Sequence, residues 1–147
     1  DGIRDIGVTG VHTCALPLSR IIISELTENQ VIYLKEVNGD REFPILIGIF
    51  EATNIDRRVS EGFENPRPLT HDLIVSVAES FGARVDRILI SHYENGTYFA
   101  KLILQSADGQ VTEIDARPSD AIAVAVTFSP ALPIFVEEDV LEASITN

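Results

Sequence analysis

Three dipeptides constrain this chain more than any other feature: Asn38-Gly39, Asn95-Gly96 and Asp108-Gly109, each set between runs of β-prone residues. Asn-Gly and Asp-Gly readily supply the positive φ angles of tight hairpin turns, so each pair predicts two adjacent antiparallel strands. In the first third, residues 11–16, 19–26, 31–37 and 43–47 read as strands, with a break at Thr27-Glu28-Asn29-Gln30. The run Ile21-Ile22-Ile23 suits a strand buried on both faces. Residues 85–93, 97–104 and 111–116 read as a three-stranded meander.

The hydrophobic period changes between these strand groups. From Gly48 onward, Ile49, Ala52, Ile55 and Val59 recur at helical spacing, with Arg57, Arg58 and Glu61 on the wet side. After a loop over residues 61–66, a second helix is predicted over 71–81, with Leu73, Ile74, Val77, Ala78 and Phe81 as its buried stripe. Gly82 fits its C-terminal cap. A third helix over 119–128 is apolar nearly all round, which predicts deep burial, and Pro130 and Pro133 end it. A short strand over 134–136 and a last helical turn over 137–143 complete the chain. The pattern predicts a single α+β domain, a mainly antiparallel or mixed sheet with about three helices packed against it. The domain should span residues 11–143, with a flexible N-terminal tail over 1–10 and a C-terminal tail over 144–147.

At 147 residues, 45% of them hydrophobic, the chain is long enough to bury a sizeable core. No apolar run approaches the length of a membrane span, so no membrane partner is expected. Cys14 is the only cysteine, which excludes an internal disulfide and fits a cytoplasmic setting. Eleven basic against 23 acidic residues give a net charge of −12. Such a chain repels polyanions at long range, so contact with nucleic acid should be weak and confined to a local basic site, a bound cation or a partner.

Two segments repeat one local design, Arg67-Pro68-Leu69-Thr70-His71-Asp72 and Arg117-Pro118-Ser119-Asp120. Proline sits well at a helix start, Thr70 and Ser119 are capping types, and Asp72 and Asp120 suit the positive end of a helix dipole. Guanidinium groups bind phosphate oxygens in a two-pronged geometry, which makes Arg67 and Arg117 candidate phosphate clamps, with Thr70 and Ser119 beside them. The competing role for each arginine is an ion pair with a nearby carboxylate such as Asp72 or Asp115. His71 stands at a helix mouth with a side chain that titrates near neutrality, so it is the candidate general base; the plainer alternative is a surface histidine. His12 and His92 read as structural.

Glu51 falls in the first turn of the first helix, where a carboxylate also simply complements the dipole. Glu51, Asp72, Asp115 and Asp120 could supply oxygen ligands to a divalent ion, Mg²⁺ or Mn²⁺. No set of metal ligands is assigned by the spacing. A Gly-rich phosphate loop, a serine nucleophile elbow and a His-Glu-x-x-His zinc motif are absent, and no organic cofactor is expected.

Together, Pro44-Ile45-Leu46-Ile47-Gly48 with Glu51, Arg67-Pro68-Leu69-Thr70-His71-Asp72-Leu73, Arg117-Pro118-Ser119-Asp120-Ala121-Ile122 and Pro133-Ile134-Phe135-Val136 resemble the bifunctional nuclease family over residues 11–143. The resemblance implies an α+β domain, often a homo-oligomer, with nuclease activity on DNA and RNA. The leading expectation is therefore cation-assisted phosphodiester hydrolysis, with His71 as base, Glu51, Asp72 and Asp120 as ligands or orienters, and Arg67 and Arg117 as clamps. The competing expectation is a non-catalytic regulatory or ligand-binding domain in which the same polar cluster holds a small anion or lines a subunit interface. Assembly is expected through an apolar sheet face or edge, most simply as a two-fold dimer.

Overall fold

The computed structural model describes residues 13–15, 18–22, 29–36, 39–60 and 64–146. Eight strands and four helices are found there: β1 (Thr13–Ala15), β2 (Leu18–Ile22), β3 (Asn29–Lys35), β4 (Glu42–Gly48), α1 (Ile49–Val59), α2 (Thr70–Ser80), β5 (Ala83–Glu94), β6 (Thr97–Ser106), β7 (Val111–Ala116), α3 (Pro118–Ala125), β8 (Ile134–Glu137) and α4 (Glu138–Thr146). The strands form two sheets, a five-stranded one in the order β1-β8-β5-β6-β7 and a three-stranded one in the order β2-β3-β4. All pairings are antiparallel except β5 with β8, which makes the larger sheet mixed. The fold is the expected α+β domain, with a fourth helix: α4 replaces the single turn expected after β8 and runs past residue 143. The predicted N-terminal tail lies outside the described residues.

The turn chemistry acts where it was expected. Asn95 and Gly96 both take positive φ, 53° and 79°, and close the β5–β6 hairpin with Glu94 opposite Thr97. Gly109 has φ 87° between β6 and β7, and Gly82 has φ 81° just past α2. Asn38 lies outside the described residues, but β3 and β4 pair antiparallel from Asn29↔Gly48 to Lys35↔Glu42, as a hairpin there requires. The burial of Ile21-Ile22-Ile23 also falls outside what is described.

One continuous core joins both sheets and the helices. Ile32, Leu34, Ile45 and Ile47 come from the smaller sheet, Ile88, Ile90 and Leu102 from the larger, and Ala52 and Ile55 from α1. Every residue of α3 except Asp120 is buried, as is the following Val126, which its nearly all-round apolar sequence predicts. A second small cluster, Leu89, Ile103 and Phe135, lies apart from this core. Arg87 is also buried, at 1% exposure, and donates from Nη1 to Asp86 Oδ2 at 2.7 Å.

α2 overturns the expected packing. Leu73, Ile74, Val77 and Phe81 are exposed by 57%, 39%, 50% and 87%, and the helix has no fully buried residue. Its inner line is His71, Asp72, Val75 and Ala78, which are half-buried, with Val75 and Ala78 packed on the core. Apolar residues occupy more than one face of this helix, and helical spacing alone does not say which face the sheet will cover. Val59, expected on the buried stripe of α1, is likewise 48% exposed.

Candidate functional site

β4 delivers the chain directly into α1 at Gly48, which precedes the first helical turn. A Cβ at Gly48 would lie 2.5 Å from Oε2 of Glu51, so the glycine leaves room for that carboxylate. Across from it, Arg117 is the N-cap residue of α3, with Pro118 as the first helical residue. The Arg117 guanidinium grips Asp120 with two bonds, Nε to Oδ2 at 2.9 Å and Nη2 to Oδ1 at 3.1 Å, and Nη2 also reaches Glu51 Oε1 at 3.4 Å. The Asp120 hydrogen bond and charge raise the Arg117 pKa, so the side chain is cationic throughout the ordinary pH range. Nη1 makes no bond among the described residues, and 66% of the side chain is exposed. Two donors of a fixed cation therefore point away from the carboxylates that orient it.

A second polar group forms where α1 ends. Arg58 Nη2 donates to Asp72 Oδ2 on α2, and the same oxygen accepts the Leu69 N–H at 2.8 Å. Burial pushes the Asp72 carboxyl up, but the Arg58 guanidinium and the Leu69 N–H together hold it below its ordinary value. Asp72 thereby caps α2 from its third helical position, and Leu69 is the N-cap residue. The caps expected from Thr70 and Ser119 are not made: both residues lie inside their helices, and neither helix start carries an N-cap side-chain bond. Arg58, expected on the wet side, is pulled inward by this pair and keeps 14% side-chain exposure.

The structure brings Glu51, Arg117 and Asp120 together and pairs Asp72 with Arg58, with His71 next to Asp72 in sequence. His71 is half-buried and bonds to neither Glu51, Arg117 nor Asp120. Arg67 is exposed and forms no ion pair among the described residues. Thr70 lines an apolar cleft between α2 and the β5–β7 meander, whereas Arg117 and Ser119 line a different one. Asp115 is exposed on β7 and bonds to neither clamp arginine. Glu51 and Arg58 are seven residues apart on α1, hence on one face and about 10 Å apart along its axis. Among the described residues no group of three or more His, Cys, Asp or Glu side chains could hold a metal ion.

The cleft beside Arg117 has a volume of about 640 Å³, within the usual range for small-ligand pockets. One wall is the outer face of the smaller sheet, with Tyr33 opposite Pro44 and Val31 opposite Leu46. The facing wall is the end of the β5–β6 hairpin, where Tyr93 and Tyr98 pair across the strands with ring centroids 4.5 Å apart. Sequence reasoning passed over these tyrosines. The Tyr93–Tyr98 pair was legible, because a two-residue turn at Asn95-Gly96 puts residues 93 and 98 opposite each other. No local signal brings Tyr33 to them.

Residues 32–147 match the model of a family described as the bifunctional nuclease domain. Two uncharacterized proteins of Mycobacterium tuberculosis, one from strain CDC 1551 and one from strain H37Rv, are each 42% identical to this chain over 118 residues. The match covers 80% of this chain and 68% of each relative.

Proposed function

We propose a phosphodiester hydrolase acting on DNA, RNA or both for this chain, which belongs to the bifunctional nuclease domain family. The observation that carries the reading is Arg117, a cation oriented by Asp120 and Glu51 with Nη1 open at the lip of a cleft. A guanidinium so held can bind a phosphodiester and offset the charge that builds on its oxygens as water attacks phosphorus. In the reaction the water oxygen bonds to phosphorus, the bond to the leaving oxygen breaks, and a base takes the water's proton. His71 is proposed as that base with Asp72 beside it, Glu51 and Asp120 as orienting carboxylates, and Arg67, Thr70 and Ser119 as further contacts to the substrate. A strand lying along the shared face of α1 would meet both polar groups.

The donor set does not fit a preformed metal centre, since Glu51 and Asp120 already share Arg117 and no third ligand joins them among the described residues. A requirement for Mg²⁺ or Mn²⁺ is tested by chelation and add-back. A labelled single-stranded oligonucleotide is incubated with wild type, Arg117→Gln and His71→Ala proteins purified in parallel, with chelator and after adding back either ion. Both variants should cleave more slowly, His71→Ala by roughly 10²–10⁴-fold. Cleavage equal in all three preparations would trace the activity to a contaminant or to other residues.

The competing reading, a non-catalytic domain that holds an anion, is favoured by the −12 charge and by the two carboxylates on Arg117. It predicts binding without turnover in the same assay. Homo-oligomer assembly, most simply a dimer, is supported by the exposed apolar face of α2 beside Ile114 of the edge strand β7. No helix among the described residues is long and apolar enough to cross a membrane. A cytoplasmic setting is proposed from the lone cysteine.

A further inference from the structure

The electrostatics of the Arg117 site limit what a phosphate alone can gain there. Glu51 and Asp120 both bond to the guanidinium, so the three groups together carry a formal charge of −1, and the whole chain carries −12. Among the described residues that line the cleft, Arg117 is the one cation. Such a site gains little from the charge of a polyanion, and it disfavours a terminal phosphate dianion. A ligand that binds must draw most of its affinity from the uncharged walls, and these have a specific chemistry.

All three tyrosines of the chain line this cleft. Tyr93 and Tyr98 form a tilted pair on the hairpin side, and Tyr33 comes from the opposite sheet. Leu46, 67% exposed, adds apolar surface on the Tyr33 side. Ser119, only 7% exposed as a residue, also lines the cleft, and its hydroxyl makes no hydrogen bond among the described residues. That hydroxyl is therefore available to a molecule bound in the cleft. Aromatic faces that stack bases, beside one arginine that takes one phosphate, are the parts of a single-strand binding site.

We propose that this cleft binds unpaired nucleotides across one phosphodiester link, with a base against the tyrosine walls, the monoanionic phosphate on Arg117 Nη1, and Ser119 Oγ bonded to the same nucleotide. The inference rests on the nuclease reading for its substrate class and adds that the substrate is single-stranded and recognised chiefly through its bases. A duplex keeps its bases stacked on each other and cannot present one to these walls.

The chain has three tyrosines and no tryptophan, so labelling with 3-fluorotyrosine yields three ¹⁹F signals, all from this cleft. The probes are the dinucleotide TpT, thymidine and diethyl phosphate, each titrated in the presence of chelator. TpT should shift the signals saturably, thymidine more weakly, and diethyl phosphate should leave them in place. Tyr98→Leu and, from the other wall, Tyr33→Leu should each weaken TpT binding by roughly 5- to 150-fold. Arg117→Gln should weaken TpT and leave thymidine unchanged. Diethyl phosphate moving the signals as far as TpT, no shift with TpT, or unchanged affinity in both tyrosine variants would overturn the proposal. TpT binding with no oligonucleotide cleavage would remove the nuclease reading and keep this site. Cleavage that depends on Arg117 without any tyrosine response would do the reverse.

Discussion

Replacing Ile122 by Ala tests the packing argument most directly, provided Leu73→Ala is measured beside it. Both residues sit on helices and both were expected in the core, yet Ile122 is 0% exposed and Leu73 is 57% exposed. Ile→Ala removes three side-chain carbons, worth about 2.4 kcal/mol at roughly 0.8 kcal/mol for each buried carbon. Every residue of α3 except Asp120 is buried, so the neighbours cannot all close in, and the residual cavity raises the cost toward about 5 kcal/mol. Leu73→Ala removes atoms that already face solvent and should cost within about 0.5 kcal/mol. Urea denaturation followed by far-ultraviolet circular dichroism at low protein concentration gives both values. In a thermal scan Ile122→Ala should lower Tm by roughly 5–20 °C. Equal costs for the two variants, or an Ile122→Ala cost within error, would refute the assignment of α3 as the central helix and α2 as the peripheral one.

Asp72 is held below its ordinary pKa in the folded chain, so its contribution to stability is complete above the unfolded pKa and is lost as pH falls through the folded one. Asp72→Ala should cost about 0.5–2 kcal/mol near pH 7, and the difference from wild type should vanish in acid denaturation curves. Glu137 has the opposite sign: burial and the Asp139 charge raise its carboxyl, with Lys101 opposing, so ionisation at neutral pH costs stability. Glu137→Gln should therefore raise Tm at pH 7, with a gain that disappears once pH drops below the unfolded pKa; a loss of Tm at pH 7 would contradict the assignment. Phe81→Glu places a charge on the exposed apolar face of α2. Light scattering should then give the monomer mass where wild type gives a larger one, and an unchanged mass would locate the contact elsewhere.

What the sequence determined by itself was set by local chemistry. Asn95, Gly96, Gly82 and Gly109 take positive φ because their side chains allow it, and Pro118 opens α3 because its fixed φ and missing N–H suit that position. The hairpin register, and with it the Tyr93–Tyr98 pair, follows from the same turn. α3 is apolar nearly all round beyond Asp120, so its burial was also legible. Tertiary structure decided every choice among equivalent surfaces. It turned the Val75–Ala78 line of α2 inward and left Leu73, Val77 and Phe81 outside, because the sheet covers one face of a helix that is apolar on more than one. It divided the strands into two sheets and buried Arg87 within β5. It also selected the partners of the charged residues. Arg58 meets Asp72 from 14 residues away and Arg117 meets Glu51 from 66, pairings that depend on how helices dock and not on spacing. The candidate site is of this second kind: its residues were visible in the chain, but their convergence, and the arrival of Tyr33 opposite the hairpin tyrosines, exist only once the two sheets close around a common core.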